Sequence, residues 1–249
     1  MANNALSESF DNGTGALGNA WNVDTSTKGE VRLYGNSSMM QPASGASAGQ
    51  GYGTYTFTAK VEGDQPGPAI LLWPGDDKWP GQEIDVMEIT PDGSGRHYGN
   101  VHWNNNGSDA YSARVYDGVY SGGWHDYQVA WEPGKITFRV DGVEKGVVTE
   151  HVPADHAHGG INNVIGFLNN NPNTSLTVSH VEFAPYGGGS SWAPAPSWSE
   201  PAQTGGSDSA LVSEQPAASA PAQASGPIDW NALAAQAQAN FEATGQWFI

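Results

Sequence analysis

The chain has 249 residues, including 33 glycines and 16 prolines, and only 14% of its residues are charged. Its formal charge of −17 would repel nucleic acid and anionic membranes, whereas an uncharged partner meets no such repulsion. It contains no cysteine, which excludes disulfides and thiolate metal sites, and no apolar run long enough to cross a bilayer. We therefore expect no nucleic-acid partner, no membrane partner, and a monomer.

The first twelve residues contain neither the basic region nor the apolar region of a signal peptide. The lack of cysteine is nevertheless typical of bacterial export. We expect a secreted or extracellular protein and leave its export route open.

Residues 1–186 read as short strands separated by turns rich in glycine, proline, asparagine and aspartate. The predicted strands are Gly53–Glu62, Ala69–Trp73, Glu83–Ile89, His97–Trp103, His125–Trp131, Lys135–Val140 and Leu176–Phe183. Many short strands with alternating faces and no helical period predict one all-β domain of two stacked sheets, a β-sandwich or jelly roll.

The composition changes after Tyr186. Residues 187–227 consist mainly of Gly, Ser, Ala, Pro and Gln, which bury too little apolar surface to offset their ordering entropy, and they predict a flexible linker. Residues 228–249 predict a short amphipathic helix, with Asp229 at its N-cap and Gly245 just past its end. This helix could dock on the sandwich or serve as an export or partner-docking peptide.

Three acidic residues, Glu83, Asp85 and Glu88, stand within six positions of one predicted strand, where acids are normally depleted. Alternation places Glu83 and Asp85 on one face and would turn Glu88 to the other. One extra residue, a β-bulge at Val86-Met87, would return Glu88 to the face of its neighbours.

Two carboxyl groups on one face suit retaining glycoside hydrolysis, which needs a nucleophile and a proton donor about 5–5.5 Å apart. Asp85 would then hydrogen-bond Glu83, and the nearby charges would keep Glu88 protonated. A solvated acidic face and a metal site of three carboxylates are the alternatives.

The stretch from Leu71 to Glu88, LLWPGDDKWPGQEIDVME, resembles the active-site signature of glycoside hydrolase family 16, in its bulged, laminarinase-like branch. Weaker resemblances extend over most of residues 8–186. The resemblance implies a concanavalin-A-like jelly roll with Glu83 as nucleophile, Asp85 as assisting residue and Glu88 as general acid/base. It also implies an open cleft that binds a polysaccharide.

Aromatic and polar residues near the acids are candidates for substrate binding. An indole offers a broad face and a hydrogen-bond donor to a sugar ring. These candidates are Trp73, Trp79, Asn100, His102, Trp103 and Asn169. By resemblance, Trp73 and Trp79 line the cleft and His102 contacts the acid group.

We expect no cofactor. His151, Asp155, His156 and His158 match no standard zinc spacing and favour a surface loop. Many family members carry calcium on the convex face through an aspartate of the last strand. Ser179 stands at that position here, which argues against calcium.

The expected activity is a retaining endo-glycosidase acting on a β-1,3- or β-1,3-1,4-glucan or a bacterial exopolysaccharide. A non-catalytic carbohydrate-binding module and a transglycosylase are the alternatives. A binding module has no need of three aligned acids.

Overall fold

The structure, a computed structural model, describes residues 5–42, 49–76, 78–155 and 162–187. The predicted terminal helix and, apart from Gly187, the predicted linker lie outside these residues. The described residues contain thirteen strands and no helix, so none of them forms a helix that could span a membrane. The strands are β1 (Leu6–Glu8), β2 (Asn19–Asp24), β3 (Val31–Met40), β4 (Gly53–Glu62), β5 (Pro68–Trp73), β6 (Ile84–Ile89), β7 (His97–Asn105), β8 (Ser108–Val115), β9 (Trp124–Glu132), β10 (Lys135–Val140), β11 (Val143–Val148), β12 (Val164–Asn169) and β13 (Ser175–Pro185).

All of these strands are antiparallel and follow the order β11-β10-β9-β4-β13-β3-β12-β5-β6-β7-β8, with β1 beside β13 and β2 beside β3. The seven predicted strands are present and their ends differ by at most two residues. Alternation of buried and half-buried positions, as in Gly53–Glu62, made them recognisable. The all-β prediction is therefore confirmed.

The long strand β3 belongs to two sheets. Val31 to Tyr34 pair with β13, whereas Ser37 to Met40 pair with β12. Gly35 lies between these halves with φ of 62°, a conformation that glycine adopts without strain. The chain turns there from a back sheet (β1, β13, β4, β9, β10, β11 and the start of β3) to a front sheet (the end of β3, β12, β5, β6, β7 and β8).

Aromatic contacts join the two sheets across the core. Phe57 of the back sheet meets Phe167 of the front sheet edge-on, with ring centroids 5.7 Å apart. The Tyr127 hydroxyl lies 3.0 Å from Nδ1 of His97, and both residues are fully buried. Burial lowers the pKa of His97 to about 4, so this imidazole stays neutral inside the core. These core contacts use the inner face of the front sheet, and its outer face takes no part in them.

Candidate active site

The acidic residues lie on β6 in the middle of the front sheet, where the strand contains a bulge. On β5, Leu71 pairs with Asp85 and Ile70 with Met87, so Val86 has no partner there. On β7, Asn100 pairs with Asp85 and Tyr98 with Glu88, leaving one residue opposite two. The bulge predicted at Val86-Met87 is present.

Burial shows what this bulge does to the side chains. Ile84, Val86, Met87 and Ile89 all belong to the hydrophobic core, so two successive residues point inward at the bulge. The alternation then resumes with Glu88 on the outer face, where its carboxyl interacts with Asp85 and with the hydroxyl of Tyr98. Glu88 therefore does not point into the core.

Two residues hold the bulge from the core side. The Tyr116 hydroxyl donates a 2.6 Å hydrogen bond to the carbonyl oxygen of Val86, the residue that lacks a partner on β5. Gly99 lies opposite the bulge, where a Cβ atom would be 2.5 Å from the Tyr116 hydroxyl and 2.6 Å from the Phe138 ring. Only glycine leaves room for this tyrosine.

Glu83 and Asp85 are buried side by side and joined by a hydrogen bond. Burial and the neighbouring Asp85 charge raise the pKa of Glu83 well above its usual value, while His102 opposes the shift. His102 is therefore the neighbour that favours the ionised form of Glu83.

Glu88 is half-buried and its ionisation is also suppressed. Burial and the Asp85 carboxylate raise its pKa to about 8, although the Tyr98 hydroxyl and His102 favour the charged form. Near neutral pH, Glu88 therefore keeps its proton and can serve as an acid.

His102 bridges two aspartates. Its Nε2 lies 3.2 Å from Asp85 and its Nδ1 lies 3.0 Å from both oxygens of Asp109. Burial opposes the charged form, but the hydrogen bonds to Asp109 and Asp85 outweigh it and raise the pKa of His102 well above its usual value. The side-chain amide nitrogen of Asn100 also lies 2.8 Å from Nε2, and the donor in this contact depends on the tautomer of the ring.

Glu83, Asp85 and His102 place their ligand atoms within 4.8 Å of one another, a spacing compatible with a metal ion. This group is not the set of three carboxylates considered from the sequence, because His102 stands in it and Glu88 does not. Ser179, the residue that argued against calcium, lies 3.4 Å from the Thr58 carbonyl oxygen. Among the described residues, no other group of three ligands is found.

Trp73 and Trp79 lie together at the Glu83 end of the site. Their rings stack nearly parallel, at 11° and with centroids 5.5 Å apart, and Trp79 also tilts against His102 at 5.2 Å. Within this stack, the Trp73 ring is buried whereas the Trp79 ring is half-exposed. Trp79 is thus the one of the two whose ring is more accessible to a sugar.

Two of the predicted substrate residues lie elsewhere. Trp103 follows His102 on β7 and so faces the opposite side of the strand, where it stacks on His151 at 4.1 Å. Asn169 is 1% exposed, and it pairs with Ser37 on the interior face. Its amide bonds Leu33, Asn171 and Thr174, so no capacity remains for a sugar hydroxyl.

The predicted surface loop that carries the other histidines is only partly described. His151 is exposed, and Asp155 is half-buried. His156 and His158 lie outside the described residues.

The sequence did not reveal Asp109, Tyr98 or Tyr116 as parts of the site. Each depends on strand pairing: Tyr98 lies opposite Glu88, and Asp109 lies on the next strand of the β7–β8 hairpin. The sequence offered one signal for Asp109, a hairpin between two runs of alternating polar and apolar residues, because such a hairpin brings β8 back beside His102.

A family model described as glycosyl hydrolases family 16 matches residues 11–162. The endo-1,3-1,4-beta-glycanase EglC of Rhizobium meliloti (strain 1021) is 33% identical over 114 residues, which make up 44% of this chain and 23% of that protein. The match thus spans less than a quarter of that relative.

Two solved structures share the fold. A lichenase from a mouse hindgut metagenome matches with a TM-score of 0.53 at 16% identity, over 73% of this chain and 99% of its own. A β-glucanase of Bacillus licheniformis matches with a TM-score of 0.52 at 18% identity, over 74% and 99%. At this identity the likeness concerns the fold alone.

Proposed function

The chain belongs to glycosyl hydrolases family 16, and we propose that it is an endo-glycosidase that cleaves internal β-linkages of a polysaccharide with retention of configuration. The observation that carries this proposal is the bulge of β6, which returns Glu88 to the face of Glu83 and Asp85. A retaining enzyme needs two carboxyl groups on one face, one protonated and one able to attack.

In the first step, the carboxylic acid of Glu88 protonates the glycosidic oxygen while the carboxylate of Glu83 attacks the anomeric carbon. The bond between that carbon and the leaving oxygen breaks, and an ester to Glu83 forms. The raised pKa of Glu88 supports its role as acid.

In the second step, the Glu88 carboxylate takes a proton from water, whose oxygen attacks the anomeric carbon and releases Glu83. An acceptor sugar in place of water would give transglycosylation through the same intermediate. Product analysis with a labelled acceptor separates these outcomes.

Asp85 and His102 prepare Glu83 for attack. Glu83 attacks as a carboxylate, and His102 favours this charged form against burial and the Asp85 charge. The imidazolium of His102 lies 3.2 Å from Asp85 and stabilises the negative charge of the two acids.

The substrate proposed is a β-1,3- or β-1,3-1,4-glucan, or an exopolysaccharide of similar linkage. The name of the relative from Rhizobium meliloti supports a mixed-linkage glucan, and the net charge of −17 favours an uncharged polymer. We also propose that this reaction takes place outside the cell.

A non-catalytic binding module is less well supported. Placing three acidic residues together, two of them buried, raises the free energy needed to ionise them. This has no evident use in a site that only binds a neutral sugar.

The test combines two variants with a panel of β-glucans, galactans and exopolysaccharides. Glu88→Gln should reduce turnover by about 10²- to 10⁴-fold, and Glu83→Gln should reduce it at least as much, because it removes the nucleophile. Reducing-end release and product mapping measure both.

The matched control is Glu182→Gln, which alters an exposed glutamate of the back sheet. It should retain full activity, and all three variants should keep the circular dichroism of the parent. Undiminished turnover in either Glu83→Gln or Glu88→Gln would overturn the assignment.

A further inference from the structure

Trp21 is an exposed indole on β2, the strand that flanks the front sheet beyond β3. Its exposed fraction is 46%, and Trp124, at 38%, is the other strongly exposed tryptophan in the described ranges. Both are unusual, because tryptophan is large and is normally mostly buried.

The strand register places Trp21 on the same face as the acids. Trp21 pairs with Ser38, Ser38 with Leu168, Leu168 with Ala69, and Ala69 with Glu88. Directly paired residues project from the same face of a sheet. An unbroken row therefore connects the exposed indole with the carboxyl group that we propose as the acid.

This row crosses four strand spacings, from β2 to β6, which is about 19 Å along the sheet. A disaccharide does not span this distance, whereas several linked sugar rings do. An endo-acting enzyme holds a polymer on both sides of the bond that it cleaves, so its binding surface must extend well beyond the acids.

The floor along this path is low and largely apolar. The row includes Ala69 and Leu168. In the next row, Gly166 lets Met40 and Leu71 lie over the backbone, since a Cβ there would be 2.7 Å and 2.9 Å from their side chains. Apolar side chains along this path suit the C–H faces of sugar rings.

We propose that Trp21 is a remote stacking platform for a pyranose of the polysaccharide, several sugars from the bond that Glu83 and Glu88 cleave. This inference rests on the proposed function and adds a residue that selects for chain length. The ring of Trp21 would contribute a broad, rigid face at low entropic cost.

The test compares Trp21→Ala with the parent on laminari-oligosaccharides of increasing length and on mixed-linkage β-glucan. On the polymer and the longest oligomers, kcat/KM should fall by about three- to tenfold, carried by KM with kcat unchanged. On the shortest oligomer that is cleaved, kcat/KM should not change. Trp21→Tyr keeps a stacking ring and should restore most of the loss.

Trp124→Ala is the matched control. Trp124 is an exposed indole on β9 of the back sheet, beside the Lys60 ammonium at 5.8 Å. This variant should behave like the parent on every substrate. An equal loss on short and long substrates, an equal loss in Trp124→Ala, or no loss on the polymer would overturn the inference.

Binding separates failure of this inference from failure of the proposed function. Affinity electrophoresis of the full chain in mixed-linkage β-glucan measures retardation without turnover. If the parent is retarded but inactive, the proposed function fails, and weaker retardation of Trp21→Ala alone still supports the platform. If the parent is active and Trp21→Ala is retarded equally, the platform fails and the function stands.

Discussion

Charge compensation dominates the site at the scale of single residues. His102 contacts Asp85 on one side and Asp109 on the other, and Asp85 in turn bonds Glu83. Burying several carboxyl groups without a cation would be costly, and truncating one partner of a buried pair leaves an uncompensated charge. Asp109 thus acts on Glu83 through His102 and is a positioning residue.

We predict that Asp109→Asn lowers kcat by at least tenfold with little change in KM, because His102 loses the strongest support for its charged form. Without the imidazolium, the pKa of Glu83 rises further, because His102 is the neighbour that lowers it. The acidic limb of the pH–rate profile should therefore move to higher pH, which initial rates across a buffer series measure.

The matched control is Asp141→Asn. Asp141 lies 2.7 Å from His125, so it forms an aspartate–histidine pair of the same kind, but exposed and in the back sheet. Its pH profile should equal that of the parent. An unchanged profile in Asp109→Asn would show that His102 does not need Asp109.

The sequence predicted the acids and His102 because their types and spacing carry the chemistry. Asp109 looked like one acid among many in a polar hairpin, and only the pairing of β7 with β8 brings it to the imidazole. Asn169 was misjudged because an asparagine near a loop looks available. Nothing in its identity showed that Leu33 and Thr174 would occupy its amide.

At the scale of the element, the position of Glu88 on β6 depends on the bulge, and the Tyr116 hydroxyl stabilises that bulge. The tyrosine hydroxyl donates a 2.6 Å bond to the carbonyl oxygen of Val86, the residue that has no partner on β5. A buried carbonyl without a partner is expensive, so this bond stabilises the irregular backbone relative to a regular strand.

We predict that Tyr116→Phe lowers the free energy of unfolding by about 1–3 kcal/mol. It should also lower kcat by at least tenfold at 25 °C, where the variant remains folded, because the position of Glu88 relative to Glu83 depends on the bulge. Urea denaturation and steady-state kinetics measure the two effects.

Tyr55→Phe removes an equivalent buried bond, 2.6 Å long, to the carbonyl oxygen of Gly51, far from β6 in sequence. It should be destabilising to a similar degree but retain kcat. If both variants lose stability and neither loses turnover, Tyr116 supports only the fold.

Alternation explains both a correct and an incorrect prediction at this scale. It required a bulge for Glu88, and that bulge is present. The same rule places Trp103 on the face opposite His102, although its indole ring made Trp103 a predicted sugar platform. The rule of alternating faces was the better guide.

At the scale of the whole molecule, the buried acids make stability depend on pH. Glu88 has a pKa raised to about 8 in the folded protein and an ordinary pKa of 4.5 when unfolded. Between these values the folded state retains a proton that the unfolded state has lost. Its contribution to stability is therefore full below about 4.5 and is lost as pH rises through about 8.

We predict that Glu88→Gln is more stable than the parent by a few kcal/mol at pH 8, and that this advantage shrinks as pH falls towards 4.5. Thermal unfolding at a series of pH values measures it, with Glu182→Gln as the exposed control. An advantage of the same size at every pH would show that ionisation of Glu88 is not its cause.

The all-β architecture followed from strand periodicity, but the turn of β3 between two sheets did not. Gly35 is one glycine among 33, and only the change of partner from β13 to β12 marks it as the corner. The pairing of strands distant in sequence is not encoded in any short segment, so the row from Trp21 to Glu88 required the structure.

The stereochemistry of azide rescue tests whether the reaction passes through a covalent intermediate on Glu83. Glu88→Ala lacks the acid/base, so azide should attack the intermediate on Glu83 and restore turnover of an activated aryl glycoside. We expect a β-glycosyl azide, identified by the anomeric coupling constant in proton NMR. An α-glycosyl azide would exclude a covalent intermediate on Glu83, because azide would then have attacked the substrate directly.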